Sequence, residues 1–471
     1  MYIPEKTLDR VITSADVLNA IRNSNTIDDS YRAIVPEAQK GSLQSLREIG
    51  SVFTGVPEVF NVFLKTLINR IGIVKIQSAL FHNPLSEITE KGILEFGDTV
   101  EEIFVDLCEA VDYNVWETDD VWKVQPEDLR AVFHSINYQK KYPRSISYTE
   151  VRQAFTSWQG VDNLIARIIT SMYTSAERDA FLMTKYVLAK NTIEGYIPIK
   201  KIAPLNTEDN VKAFAQELQS MFGNFQFLSG EYNLAGVDNT TPPQNMYLIL
   251  TTDANAAINV GSYAYAFNLD KIEFSGKQKL VDSFGKIDIK RLTRLIENSV
   301  NPTIFTPEQL EEMENVVAYF VDERFFQFYT SLFTMDSIWN PSNRVWNYWL
   351  HIHKVISISP FNNIVGYTVG TQSVDSITVD PTSATVKAGT TYRFNAIITG
   401  ENFPSNGVNW SISGYTSSST TIDDKGNLFV GNDEAAGTTI TVTAISDFDT
   451  TKKGTATVTV SASAKSVKNA K

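Results

Sequence analysis

The run VDSITVDPTSATVKAGTTYRFNAIITG, residues 374–400, marks a change in the character of the chain. Apolar side chains fall at alternate positions: Ile377 and Val379, Ala384 and Val386, then Tyr392, Phe394, Ala396 and Ile398. Between them stand mostly Thr, Ser, Gly and Asp. A period of two is the signature of half-buried strands. Pro381 predicts a kink between the first two strands, and residues 387–390 predict a turn. The pattern continues downstream. VNWSISG carries Trp410 on a further strand, TIDDKGNLFVG turns at Gly426, and TTITVTAIS and GTATVTVSA complete the set. About six or seven short strands with regular turns predict an all-β, immunoglobulin-like sandwich over residues 371–462, with Trp410 as its central packing residue. No cysteine pair staples it, so burial at roughly 25 cal/mol per Å² has to hold it together.

The chain has 471 residues, enough for more than one domain. Upstream, periodicity lengthens. Met172, Tyr173, Ala176, Ala180, Met183 and Val187 continue a helical stripe begun by Ile165, Ile168 and Ile169. Asp162 is the expected cap, and the helix is expected to run to Lys190 as a spine against a sheet. Pro204 closes that region. From 205 to 330 the pattern alternates. NTEDNVKAFAQELQSMF reads as a helix capped by Asn206 or Thr207, with Val211, Phe214, Leu218 and Phe222 inward. MYLILTT reads as a buried strand, TDANAAINVGSYAYAF mostly as helix, and VVAYFVD as a second buried strand before a turn at Asp322 and Glu323. This predicts a small α/β unit inserted into another domain, which resumes over 331–370 in the strand-rich, aromatic run NPSNRVWNYWLHIHKVISISPFNNIVGYTVG.

The first 60 residues read as an arm. Ser14 and Asp16 can cap a short helix carrying Val17, Leu18 and Ile21; NSNTIDDS interrupts it, and SLQSLREIG forms another. These pieces hold too few apolar residues for a core of their own, so they are either a surface extension or an arm that reaches a neighbour. Pro57 suits the first turn of a helix with Val59, Phe60, Phe63 and Leu67 on one face. Residues 61–112 then read as an extended hairpin. GIVKIQSALF is strand-like, and HNPLSEITEKGILEFGDTVEEIFVDL has turns at Asn83–Pro84 and Lys91–Gly92 and an alternating strand over 99–107, polar on both faces. Such a ribbon needs support from elsewhere. An aromatic, acidic stretch with ETDDVW follows, within residues 113–204 that also hold the spine helix.

Formal net charge is -13 and the sequence pI is about 5.0, which argues against a surface that coats nucleic acid. The only basic run is AKSVKNAK at the end, and residues 463–471 read as a disordered tail. One cysteine, Cys108, excludes an intramolecular disulfide. It lies in DLCEAV, a setting that does not activate a thiol, and reads as a packed small residue. The start, MYIPEKTLDRVITSADVLNA, lacks the apolar core of a signal peptide, and no stretch approaches a membrane span, so synthesis and folding in a cytoplasm are expected.

Chemical motifs are missing. His351 and His353 share a strand face, but no third metal ligand stands near them, and His82 and His134 are isolated. Phosphate-cradling glycine motifs, a zincin helix and a nucleophile elbow do not occur. Glu101 and Glu102 are adjacent, so on a strand they face opposite sides and cannot act as a pair; one is expected to meet a basic group across an interface. No catalytic, cofactor-binding or metal residues are assigned, no cofactor is implied, and nothing requires an enzyme.

Several runs carry a resemblance, and they occur in one order along nearly the whole chain. They are VLNAIRNS; LINRIGIV, NPL, KG and GDTVEEIFVDL; AFTSWQ and SAERDAF; MYLILTTDANAAINV with AFNLD; and NPSNRVWNYWLHIHKVISISPFNNIV. In these the chain resembles the major capsid protein of small short-tailed phages of Gram-positive bacteria, the Picovirinae-type podoviruses. VDYNVWETDDVW and the first ten residues depart from that pattern. The resemblance implies an α+β, tailed-phage and herpesvirus-type capsid fold. Its parts would be an N-terminal arm (1–60), an extended loop (61–112), a peripheral domain (113–204 and 331–370) and an axial domain (205–330). The last domain resembles the bacterial Ig-like group 2 modules through ITVDPTSATVKAGTTYRF and DDKGNLFV, and in the family it lies on the outer face of the head. The implied function is a structural head protein that self-assembles through pentamers and hexamers into an icosahedral or prolate shell around double-stranded DNA. Implied partners are further copies of itself, a scaffolding protein, the portal or connector, and head fibre or decoration proteins, with no membrane and with the virion as its location. An acidic shell would leave the genome free to slide. Two other classes compete: a bacterial surface or carbohydrate-binding protein, since Ig-like modules are common there, and a glycan-degrading enzyme with an accessory module. The first lacks a signal peptide and anchor, and the second lacks a paired-carboxylate cleft.

Overall fold

A computed structural model of the chain describes residues 14–24, 28–73, 81–94, 99–105, 107, 108, 110, 129–260, 277–297 and 302–461. The acidic ETDDVW stretch, the GSYAYAF segment, most of GIVKIQSALF and the terminal tail lie outside the described residues, as do the side chains of Leu67, Ile165, Ile168 and Ile169.

Among the described residues four helices come first: α1 (Ser14–Arg22), α2 (Asp29–Ile34), α3 (Leu43–Gly55) and α4 (Pro57–Ile73). They are not a free arm. Leu18, Ile21, Tyr31, Val35, Leu46, Ile49, Phe53, Phe60 and Phe63 are buried in the same core as Val151, Phe155, Trp346 and Tyr348. Short amphipathic helices need no core of their own when they wrap one that exists. The contact is aromatic. The Phe53 ring lies 5.3 Å from Phe155 and 4.9 Å from Phe63, and Phe60 meets Trp346 at 4.9 Å. Ser42 caps α3 by accepting from the Ser45 amide at 3.3 Å.

The body continues with α5 (Ser86–Thr89), β1 (Glu90–Ile93), β2 (Thr99–Val105), β3 (Leu129–Ser135), β4 (Tyr138–Ser147), α6 (Tyr148–Ala154) and α7 (Trp158–Ile193). The spine helix α7 has 36 residues, so it spans about 54 Å at 1.5 Å per residue. Ser157, not Asp162, caps it: Ser157 has extended backbone and its hydroxyl accepts from the Gly160 amide at 3.1 Å. Gly160 is required there, because a Cβ would stand 2.5 Å from the Ala154 carbonyl oxygen at the tight α6–α7 joint. Gly195, at φ 75°, follows the end of the helix.

Next come β5 (Ile199–Lys201), α8 (Glu208–Asn224), β6 (Met246–Thr251), α9 (Thr252–Val260), β7 (Gln278–Val281), α10 (Ile289–Ile296), α11 (Pro307–Glu314), β8 (Val316–Asp322), β9 (Phe326–Asn340), β10 (Val345–Ile358) and β11 (Ile364–Thr368). Two sheets organise the body. One has the order β1-β9-β10-β4, built on the long antiparallel β9–β10 hairpin, with β1 parallel to β9. Lys91 and Gly92 therefore lie inside a strand of this sheet and not at a hairpin turn. The other has the order β5-β11-β8-β6-β7. All six residues of β6 are buried because both faces of that sheet are covered. Met246, Leu248 and Leu250 meet Phe214, Leu218 and Met221 of α8, and Tyr247 and Ile249 face the main core. Thr207 caps α8, one of the two alternatives the sequence offered. The α/β unit expected at 205–330 takes strands from beyond both limits, 199–201 and 364–368, since hydrogen-bond pairing does not respect a sequence boundary.

Past residue 372 the strands are β12 (Ser373–Asp380), β13 (Ser383–Lys387), β14 (Thr391–Arg393), β15 (Asn395–Glu401), β16 (Val408–Ser413), β17 (Thr421–Ile422), β18 (Asn427–Phe429), β19 (Thr439–Ser446) and β20 (Lys453–Ser461). They form sheets of order β12-β15, β13-β20-β19-β16 and β14-β18-β17 around a separate core. The single strand expected over residues 392–398 is two strands in different sheets, divided at fully buried Phe394. Trp410 is only half-buried at the edge of this core, and Phe394, Leu428 and Val442 fill its centre. One carboxylate supports the unit. Glu434 is buried and accepts from the Thr416 and Ser417 amides at 2.7 and 3.0 Å and from the Thr416 and Thr420 hydroxyls at 2.6 and 2.7 Å. Desolvation pushes its pKa up, but those hydrogen bonds outweigh it and hold the carboxyl at about 2.

Two outcomes are expected. Phe53→Ala should cost the full chain about 3–5 kcal/mol of stability in denaturant unfolding, as for a core aromatic; a free arm would give no change. A carboxylate held below its unfolded value stabilises above that value and loses the effect as acid protonates it. The urea midpoint of a 371–462 fragment, followed by Trp410 fluorescence, should therefore fall as pH drops from about 4.5 toward about 2, and Glu434→Gln should lower the neutral-pH midpoint and flatten that fall.

Candidate assembly surface

Among the described residues, strands β2 and β3 pair only with each other. They form the ribbon that the sequence suggested, but between 99–105 and 129–135, not within 61–112. The expected polar character on both faces is also corrected. Cross-strand partners share a face, and the register sets Glu101 opposite Phe133, Ile103 opposite Ala131, and Val105 opposite Leu129. All six are exposed, Phe133 at 64%. This outer face carries an open apolar stripe of Ile103, Val105, Leu129 and Phe133.

The other face is fastened to the body. Glu102 points inward and accepts from the Ser359 hydroxyl at 2.7 Å, from Asn362 Nδ2 at 3.2 Å and from His134 Nε2 at 3.2 Å. His134, itself buried, meets the Ser357 hydroxyl through Nδ1 at 2.8 Å. Donation from Nε2 to the carboxylate leaves Nδ1 to accept from Ser357. Arg130 Nη1 donates to the Ala235 carbonyl at 2.9 Å, and the Phe104 ring stacks on Phe361 at 5.4 Å. Glu102 thus engages groups of its own chain, and Glu101 lies on the exposed face. The signal for this lay in FNN at 361–363, where asparagines between two strands announce a loop whose side chains bond elsewhere. The loop also ties in the 229–241 segment: Asn233 Nδ2 donates to Asn363 Oδ1 at 3.2 Å, and Asn239 Nδ2 to the Phe361 carbonyl at 2.7 Å.

The remaining chemical candidates stay apart. His351 and His353 share one face of β10; His351 lies 3.7 Å from Asp336, and no group of three metal-ligating side chains occurs among the described residues. Cys108 is exposed and not a packed small residue, since its strand ends before it. No helix among the described residues is long and apolar enough to cross a membrane.

The arrangement is that of a folded body carrying an anchored ribbon with an open apolar face, which is chemistry for contact. The sequence model of the Phi29-like phage major capsid protein family matches residues 18–368. The chain belongs to this family. The major capsid protein of Bacillus phage B103 is 30% identical over 444 residues, covering 93% of this chain and 91% of the relative. That of Streptococcus phage Cp-1 is 26% identical over 366 residues, covering 75% of this chain and 93% of the relative. A chain of the capsid structure of Staphylococcus phage Andhra overlays with a TM-score of 0.48 at 14% identity, covering 63% of this chain and 87% of that one. This capsid protein is a subunit of the virion shell. The family match ends at Thr368, the last residue of β11, so the body described above is the part it covers.

The ribbon's inner contacts predict a measurable loss. A two-stranded ribbon is marginal alone. Glu102→Ala removes three hydrogen bonds to one carboxylate, and amide exchange over 99–105 and 129–135 should rise about tenfold or more while exchange in β6 and β8 stays unchanged. Unaltered ribbon exchange would show that it is held by something else.

Proposed function

We propose that this capsid protein builds its lattice through the ribbon: the outer face of β2 and β3 buries Ile103, Val105, Leu129 and Phe133 against a neighbouring copy. The observation that carries this is the split character of the ribbon, bonded to its own chain on one face and apolar and open on the other. Each such side chain contributes about 1.5–3 kcal/mol when fully buried, so one contact is modest and a shell multiplies it by symmetry. In this reading the ribbon is the extended loop, the β1-β9-β10-β4 sheet with α7 is the peripheral domain, and the β5-β11-β8-β6-β7 sheet is the axial domain. The shell, of pentamers and hexamers, encloses double-stranded DNA, is assembled with a scaffolding protein and a portal, and carries head fibre or decoration proteins. The chain is not an enzyme. The strands past residue 372 form an Ig-like module on the outer face. The family match, which ends at Thr368, and the separate core past residue 372 support a distinct module there.

The test is Ile103→Glu with Phe133→Glu in the full chain. The double variant should keep the unfolding midpoint of the parent and fail to form shells in negative-stain microscopy, alone or with scaffold. Shells of normal yield would remove the ribbon's outer face from the lattice.

A further inference from the structure

Only residues 369–372 join the end of β11 to the start of β12. A link that short does not by itself fix an orientation, but it is pinned. The Val369 amide donates to the Asn315 carbonyl at 3.0 Å, the Gly370 amide to the Thr368 hydroxyl at 3.1 Å, and the Gln372 side chain is buried. The loop after β15 then reaches back to the body. Asn402 Oδ1 accepts from Asn315 Nδ2 at 2.8 Å, and its Nδ2 donates to the Thr371 carbonyl at 2.9 Å. Gln372 Nε2 bridges the Phe403 carbonyl at 2.7 Å and the Ile199 carbonyl at 3.2 Å. Asn406 Nδ2 donates to the Gly195 carbonyl at 3.0 Å.

Three features show that this contact is built. The Phe403 side chain packs against the body's core cluster and not against the core of its own unit. Asn402 and Phe403 hold φ of 54° and 59°, left-handed backbone that side chains rarely adopt in succession and that surrounding contacts have to enforce. Glycine stands in the body and in the link where the asparagines land. A Cβ on Gly195 would stand 1.7 Å from Asn406 Nδ2, and one on Gly370 would stand 2.1 Å from Asn402 Oδ1.

We propose that residues 402–406 form a clasp that seats the C-terminal unit on the body in one orientation, so that the unit is a fixed part of the subunit and not a tethered appendage. The clasp gives the unit a set position relative to every lattice contact, and it does so whether or not the ribbon is the lattice bridge. A tether would suit a module that searches for a ligand. A clasp suits one whose partner is itself fixed on the same shell, such as the unit of a neighbouring copy.

The test places nitroxide labels on both sides of the joint. Full-length protein with Cys108→Ser, Lys212→Cys and Lys425→Cys, mixed with excess unlabelled chain to isolate each labelled copy, is measured by pulsed electron double resonance. One narrow distance distribution is expected. Asn402→Ala with Asn406→Ala, and separately Phe403→Ser, should each broaden it severalfold while Glu434-bonded amides of the unit, Thr416 and Ser417, keep their exchange protection. A broad distribution in the parent would overturn the proposal, and so would a narrow one that survives in both variants. Two variants of different chemistry guard against either one failing to fold.

Discussion

A two-stranded ribbon has too little apolar surface to order itself, and this constraint shapes the subunit. The chain meets half of it internally. Glu102, His134, Arg130 and Phe104 turn toward the 357–363 loop and Ala235, where hydroxyl, amide and carbonyl groups and one aromatic ring receive them. Removing a carboxylate from water costs free energy unless its lone pairs are met, and three donors meet this one. With its inner face fixed, the ribbon projects the opposite face at a set angle. That face is apolar and has no cover within the described residues of the chain.

Elsewhere the body turns its largest aromatic side chains inward, while Ile93 and Phe227 stay exposed at 76% and 72%. The N-terminal helices fill the side of the β9–β10 hairpin around Trp346, which is walled by Phe60 and Trp339 at 4.9 and 4.2 Å. Aromatic side chains bury much area with few torsions to fix, so this corner suits a joint between distant parts of the sequence. The spine helix carries charged side chains into the same core, and each is met. Asp179 accepts from Arg291 and from the Tyr142 hydroxyl, and Lys185 pairs with Asp282. With these charges met, the ribbon's outer face remains one of the exposed apolar surfaces of the described residues. In the proposed lattice its partner is another copy, in keeping with membership of a major capsid protein family.

Much of this was legible in the sequence, with particular failures. Period and capping located α7, α8 and the buried strands β6 and β8, because long apolar runs with both faces covered leave a clear mark. Asp162 failed as a cap because Ser157 offers the same chemistry five residues earlier and Gly160 permits the close α6 joint. In sequence the N-terminal helices read as an arm, because sequence alone does not show that Phe53 and Phe60 find Phe155 and Trp346 more than ninety residues away. The ribbon's pairing is hidden for the same reason: β3, the partner of β2, lies beyond the acidic stretch, and pairing is a tertiary fact. Glu101 and Glu102 were rightly separated onto opposite faces, but the loop that receives Glu102 lies more than 250 residues downstream.

Order and assembly meet at the ribbon, so the structure of the assembled shell by electron cryomicroscopy tests the account most directly. It predicts that Ile103, Val105, Leu129 and Phe133 lose their solvent exposure against side chains of an adjacent subunit while Glu102 keeps Ser359, Asn362 and His134 of its own. A shell in which those four side chains remain in solvent, or fold onto their own subunit with Glu102 released, would contradict it.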